Sequence, residues 1–205
     1  MTDRKTVDAI AVEPGSGRLT HSERHELRHQ ALLRYRKHRQ RNQLANPGVH
    51  ELILVLDNLK AGFNVAKIFR TAEFMGVHEV HLVDIGPFDP APSKGGFRKV
   101  PARFFSDYEA CHADLSRRGY DLFALQPAGN CPHLGAAPLP RRSAFILGHE
   151  EFGITFDRTR FPDIRCLTIA SFGTTESLNV SVAASIVAYE YVRQHAHVHK
   201  ADTEA

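Results

Sequence analysis

The chain of 205 residues is long enough for one domain with short extensions, and an apolar share of 42% is sufficient for a globular core. No apolar run approaches the ~20 residues of a membrane span, and the N-terminal stretch MTDRKTVDAIAVEPGSG lacks the apolar core of a signal peptide. The net charge of +3 hides an uneven spread: from Arg18 to Arg41 eight Lys or Arg stand against two acids, a surplus of six, so the rest of the chain sums to −3. A basic arm on a mildly acidic body suits a polyanionic partner, although a merely solvated helix has the same composition. Cys111, Cys131 and Cys166 are scattered and form no CxxC pair, which predicts neither a disulfide framework nor a zinc ribbon. A cytoplasmic, reduced protein is expected.

In chain order, residues 1 to about 18 read as a flexible tail, with Pro14, Gly15, Ser16 and Gly17 as linker signals. Thr20 or Ser22 can cap a helix running to about Leu44, where Asn46-Pro47-Gly48 stops it. Its few large apolar residues predict docking along one narrow stripe or on a partner. ELILVLD (51–57) reads as a strand, Asn64 to Met75 as a helix, and EVHLVD (79–84) as a second strand. Residues 85–98 form a long Pro/Gly loop. Asp107 to Arg118 is a helix, YDLFALQ (120–126) and SAFILG (143–148) are strands, a short helix lies near Phe156, IRCLTIA (164–170) is the last strand, and Asn179 to about Gln194 is the final helix. Strands separated by helices predict an α/β protein with a mostly parallel sheet covered on both faces, with ligands at the strands' C-terminal ends.

The loops at those ends carry the unusual residues. Gly62 stands alone after the first strand, so GxGxxG is absent, and no GxxxxGK[ST] occurs. Asn64 and Arg70 share one predicted helix, about 120° from eclipsed. Taken singly, Asn64 reads as a cap and Arg70 as a surface residue, though an arginine in an apolar helix also suits bidentate binding of phosphate or carboxylate. GHEEFG (148–153) is either a tight turn or a loop that lets backbone approach a ligand, and it is not HExxH. Ser177, before the last helix, reads as its N-cap. His21, His25 and His29 recur every fourth residue, and His195, His197 and His199 alternate, but no carboxylate or cysteine completes either set, so no metal site is predicted.

Taken together, FNVAKIFRTAEFMGV resembles the first motif of SpoU/TrmH-type RNA ribose 2′-O-methyltransferases of the SPOUT superfamily, FILGHEEFGI the second and TESLNVSVAASIVAYE the third. They occur in the family's order over residues 51 to 194, each at the end of a strand. The resemblance implies an α/β domain over residues 46–195 with a C-terminal trefoil knot, flanked by a tail and basic arm (1–45) and a flexible tail (196–205). It further implies S-adenosyl-L-methionine as cofactor and a homodimer. By matching positions, Leu125, Gly148, Ile169, Ser177 and Leu178 would contact the cofactor, while Arg70, Asn64, Glu150, Ser177 and Asn179 fall on the family's functional positions. An arginine base is physically awkward, because its pKa lies above ~12, so Arg70 is expected to orient a phosphate and stabilise charge. The 93–101 segment, SKGGFRKVP, resembles the family's substrate-side loop. Lys94, Arg98 and Lys99, with Arg34, Arg36 and Lys37 of the arm, are therefore expected to bind RNA. With no room for a separate RNA-binding domain before Glu51, tRNA is favoured over rRNA. A non-catalytic RNA-binding protein and a base N-methyltransferase are the alternatives.

Overall fold

The computed structural model describes residues 20–126, 130–175 and 177–196. The expected tails, Arg18, and Glu176 of the third motif lie outside these residues. The chain forms α1 (His21–Asn42), β1 (His50–Asp57), α2 (Phe63–Phe74), β2 (Val77–Val83), β3 (Ala102–Phe105), α3 (Tyr108–Arg117), β4 (Asp121–Gln126), β5 (Ser143–Leu147), β6 (Arg165–Thr168) and α4 (Val180–His195). Short 3₁₀ turns interrupt the loops, and the helix expected near Phe156 is one of them, at Arg158–Arg160.

The six strands form one sheet in the order β3-β2-β1-β5-β4-β6, and all its pairings are parallel. The β1 run shows why both faces are covered. Leu52, Leu54 and Leu56 pack with α1, α2 and α4, while Ile53 and Val55 pack beneath α3 with Cys111 and Leu115. A strand buried on both faces reads as a continuous apolar run, which is what Leu52 to Leu56 are. The four-residue β3 falls where the sequence predicts no strand. It lies at the sheet edge, and its ARFF carries too few residues to establish a period.

Thr20 begins α1 with a capping box. Its hydroxyl accepts from the Glu23 amide, and Glu23 Oε2 accepts from the Thr20 amide at 2.7 Å. The helix docks along the expected narrow stripe. Ala31, Leu32 and Tyr35 are buried, and the Tyr35 ring stacks on Phe97 at 5.6 Å. Asn42, also buried, donates to the Val100 carbonyl at 2.6 Å and accepts from the Ala102 amide at 2.9 Å. The basic helix thus shares the main core and is tied to the loop that follows β2.

Cys131 and Cys166 are paired as a disulfide, contrary to the sequence expectation. They are 35 residues apart, yet the chain leaving β4 runs back beside β6. The Thr168 amide donates to the Pro132 carbonyl at 3.0 Å, which brings the two Cα atoms to 5.4 Å. Only this strand adjacency makes the pair bondable. Cys111 is free and buried. Among the described residues no helix is long and apolar enough to cross a membrane.

Candidate active site

The chain leaves β1 toward β2 on one side, while β5 lies on the other, so a crevice opens where the C-terminal ends of β1 and β5 meet. Three loops from distant parts of the sequence converge there. Gly62 starts α2 with no side-chain cap, and Asn64, one residue inside the helix, is free to reach outward rather than cap it. Its Nδ2 donates to Glu150 Oε1 at 2.9 Å, and its Oδ1 accepts from Asn179 Nδ2 at 3.2 Å. Glu150 Oε2 accepts from the Lys60 amide at 3.2 Å.

One backbone proton orients the whole group. The Ser181 amide can only donate, and it does so to Asn179 Oδ1 at 2.9 Å, joined by the Ser181 hydroxyl at 2.6 Å. Asn179 must therefore turn its Nδ2 toward Asn64. Asn64 in turn presents its own Nδ2 to Glu150, whose two oxygens then both act as acceptors. These bonds also make Asn179, and not Ser177, the N-cap of α4. The expected cap falls too early in the chain, because Ser177 is an exposed residue of the approach.

The 148–153 loop is a tight ring. His149 and Gly153 exchange backbone hydrogen bonds at 2.8 and 2.9 Å, and Gly153 has φ +69°. A Cβ on Gly148 would lie 2.3 Å from the Gly153 carbonyl carbon, so both glycines are required. His149 Nδ1 accepts from the Glu151 and Phe152 amides at 3.1 and 3.3 Å, which makes the ring the Nε2–H tautomer. The loop is anchored to β1 through buried Asp57, which accepts from the Thr155 amide and hydroxyl at 2.7 and 2.9 Å. Burial raises the Asp57 pKa, and the Thr155 bonds pull the other way.

Arg70 is exposed on α2 and opens onto a depression of about 330 Å³ that is also lined by Thr71, Phe74, Ser93, Lys94 and Ser185. Lys94 holds a left-handed backbone, φ +49°, in the tight turn beside it. Leu125, Gly148 and Ile169 are half-buried at the ends of the neighbouring strands β4, β5 and β6, and Ser177 and exposed Leu178 follow on the approach to α4. Two of the residues expected to bind RNA, Arg34 and Lys99, show their partners directly. The Arg34 fork is bonded to both Asp89 oxygens at 3.1 and 2.8 Å, and Lys99 pairs with Glu73 at 2.7 Å. Arg36, Lys37, Lys94 and Arg98 are exposed. Among the described residues no cluster of His, Cys, Asp or Glu could hold a metal ion.

A family model described as the SpoU rRNA Methylase family matches residues 51–189, a span that takes in all three loops. The chain belongs to the SpoU family. The protein is therefore a SpoU-family RNA methyltransferase. It is 28% identical over 149 residues to the tRNA (guanosine(18)-2′-O)-methyltransferase of Thermus thermophilus, covering 70% of this chain and 75% of that one. The Escherichia coli protein of the same description is 29% identical over 147 residues, and there the match covers 64% of the relative. A structure solved for structural insights into the 2-OH methylation of C/U34 on tRNA superposes with TM-score 0.60 at 28% identity, covering 70% of this chain and 95% of that one.

At the crevice, the structure brings Asn64, Glu150 and Asn179 into one hydrogen-bonded group and places Arg70 further along the same helix as Asn64. Four participants escaped the sequence reading: Lys60, Thr71, Ser181 and Ser185. Lys60 acts through its backbone amide, which no residue type betrays. Ser181 and Ser185 carried one usable signal, since each is polar within an otherwise apolar helical run, whereas Thr71 stands between Arg70 and Glu73 and carried none.

Proposed function

We propose that this SpoU-family enzyme transfers a methyl group from S-adenosyl-L-methionine to a ribose 2′-hydroxyl of tRNA. The observation that carries the reading is the Glu150–Asn64–Asn179 chain, which joins all three loops at the crevice on the helix that also presents Arg70. The two bacterial relatives named for tRNA guanosine-18 support the choice of RNA. The family description names rRNA, and rRNA is the second reading.

The residues fit the cofactor chemically. Leu125, Ile169 and Leu178 offer apolar surface, Gly148 offers backbone without a side chain, and Ser177 offers a hydroxyl, a set suited to an adenosine moiety. When bound, S-adenosyl-L-methionine supplies an electrophilic methyl group on a sulfonium. Arg70, with its planar guanidinium fork, serves as an oriented cation that holds an RNA phosphate and leaves proton removal to another acceptor. The Asn64–Asn179 pair and Glu150 fix the loops relative to one another, and such positioning can supply much of the rate. Lys94 and Arg98, with Arg36 and Lys37 on α1, hold RNA backbone.

A homodimer is part of this proposal. Val182 and Tyr189 lie seven residues apart on one face of α4 and are 47% and 59% exposed, and Phe74 of α2 is 82% exposed. A second copy covers them, and the C-terminal trefoil knot belongs to the same expectation. Sedimentation velocity at micromolar concentration checks the dimer. The activity test is incubation with methyl-labelled cofactor and total RNA, followed by nuclease digestion and mass spectrometry. Label on a ribose oxygen of tRNA is the expected outcome. Label on rRNA supports the second reading, and label on a base, or salt-sensitive RNA binding without label, refutes ribose methylation.

A further inference from the structure

Arg70 is presented by a helix that meets α4 at two hydroxyls. Thr71 Oγ1 and Ser185 Oγ lie 2.9 Å apart, partly buried between α2 and α4. Ser185 Oγ is also 2.8 Å from the Ser181 carbonyl, which can only accept. A hydroxyl carries a single proton, so Ser185 gives its proton to Ser181 and the Thr71 hydroxyl donates to Ser185. The two bonds therefore run in one direction, from the residue after Arg70 through Ser185 to Ser181 in the first turn of α4. There Ser181 also holds Asn179 through its amide and hydroxyl. The loop before β3 also comes close: a Cβ on Gly96 would lie 2.4 Å from the Phe69 carbonyl oxygen and 3.1 Å from the Arg70 nitrogen. The Phe69–Thr71 backbone is thus closely approached by the loop, and the Thr71 hydroxyl ties it to α4.

We propose that Thr71 is a positioning residue: by donating to Ser185 it sets the rotation of α2 against α4 and so aims the Arg70 guanidinium into the depression that both residues line. The inference rests on the methyl-transfer reading of the site, in which Arg70 holds RNA. It assigns Thr71 no contact with the cofactor, so loss of its hydroxyl acts on turnover and not on cofactor affinity.

Thr71→Val keeps the branched shape and removes only the donor, and Ser185 retains its bond to Ser181. Thr71→Ser restores the donor. With labelled cofactor and tRNA, Thr71→Val is expected to lower kcat about tenfold. Cofactor affinity by calorimetry should stay within about twofold, and Thr71→Ser should return kcat to within about threefold of the parent. A readout without turnover comes from nitrogen-15 NMR of the Arg70 Nε–H, assigned by its disappearance in Arg70→Lys. Its resonance should shift in Thr71→Val and return in Thr71→Ser. The proposal is overturned if the Arg70 resonance does not move in Thr71→Val, if kcat of that variant is unchanged, or if Thr71→Ser loses as much as Thr71→Val. If the parent protein transfers no label, the methyl-transfer reading fails, and the Arg70 resonance still decides whether Thr71 positions it.

Discussion

Replacing Asn179 by an aspartate separates the scaffold role of this residue from its role in the site. Asn179 caps the 16-residue helix α4 through Oδ1 and reaches Asn64 through Nδ2. The aspartate keeps the capping oxygen and adds a negative charge at a helix N-terminus, worth ~0.3–1 kcal/mol in favour of folding. It has no donor to offer Asn64. If Asn64 stays as it is, its Oδ1 loses the 3.2 Å bond; if its amide flips to donate to the new carboxylate, its oxygen confronts Glu150 and the 2.9 Å bond is lost instead. One link goes in either case, at a net ~0.5–1.5 kcal/mol, and the loss falls where the three loops meet. Since ~1.4 kcal/mol is tenfold in rate, kcat should fall by up to about tenfold. The charge gained at the helix end offsets the lost link in part, so the melting temperature should stay within ~4 °C of the parent. Asn179→Ala forfeits the cap as well, about 1 kcal/mol, and should melt ~2–4 °C lower. Paired differential scanning calorimetry and labelled-methyl transfer assays read both quantities. Full kcat in Asn179→Asp, or a melting loss equal to that of Asn179→Ala, refutes the reasoning.

Arg70→Lys keeps the charge but loses the planar fork, so transfer should drop by at least about tenfold while calorimetric cofactor affinity is retained. Equal loss of both would contradict the role given to Arg70. Deleting α1 is a poor test of RNA binding, because Ala31, Leu32 and Tyr35 belong to the core; the double substitution Lys37→Glu with Arg98→Glu leaves the core intact and should shallow the slope of log affinity for tRNA against log salt by about two. Gly96→Ala forces a methyl group against the Phe69 carbonyl and should cost about 1–3 kcal/mol in urea unfolding. For Glu79, burial alone would raise the pKa, but hydrogen bonds from His81 and Arg118 outweigh it and bring the group from 4.5 to about 2. The stabilisation is present above pH 4.5 and is lost as the pH falls toward about 2, on the order of 3 kcal/mol at most. Glu79→Gln should flatten the fall of the urea midpoint across that window, and an unchanged acid limb would remove Glu79 from the account.

Much of this was legible in the residues. The apolar run of β1 predicted a strand buried on both faces, and the stop at Asn46-Pro47-Gly48 placed the end of α1 close to where it falls. Both signals are local: a period, a break, a cap. Other features were hidden because they depend on which strands become neighbours. Cys131 and Cys166 look unrelated until β4 and β6 lie side by side, and Arg34 and Lys99 look like free cations until Asp89 and Glu73 arrive from other parts of the chain.

The sequence by itself determined the α/β class and the family, because apolar period and motif order are written along the chain. It also determined which residue types could form the site. Only the tertiary structure decided their connection. Asn64, Glu150 and Asn179 span 115 positions, and each has an adequate local explanation when taken alone. The Ser181 amide proton orients Asn179 locally, but Asn64 comes within reach of Asn179, and so takes its own orientation toward Glu150, only after α4 has packed against α2. Hydrogen bonds have direction and short reach, so a pattern of residue types can supply the partners but cannot orient them.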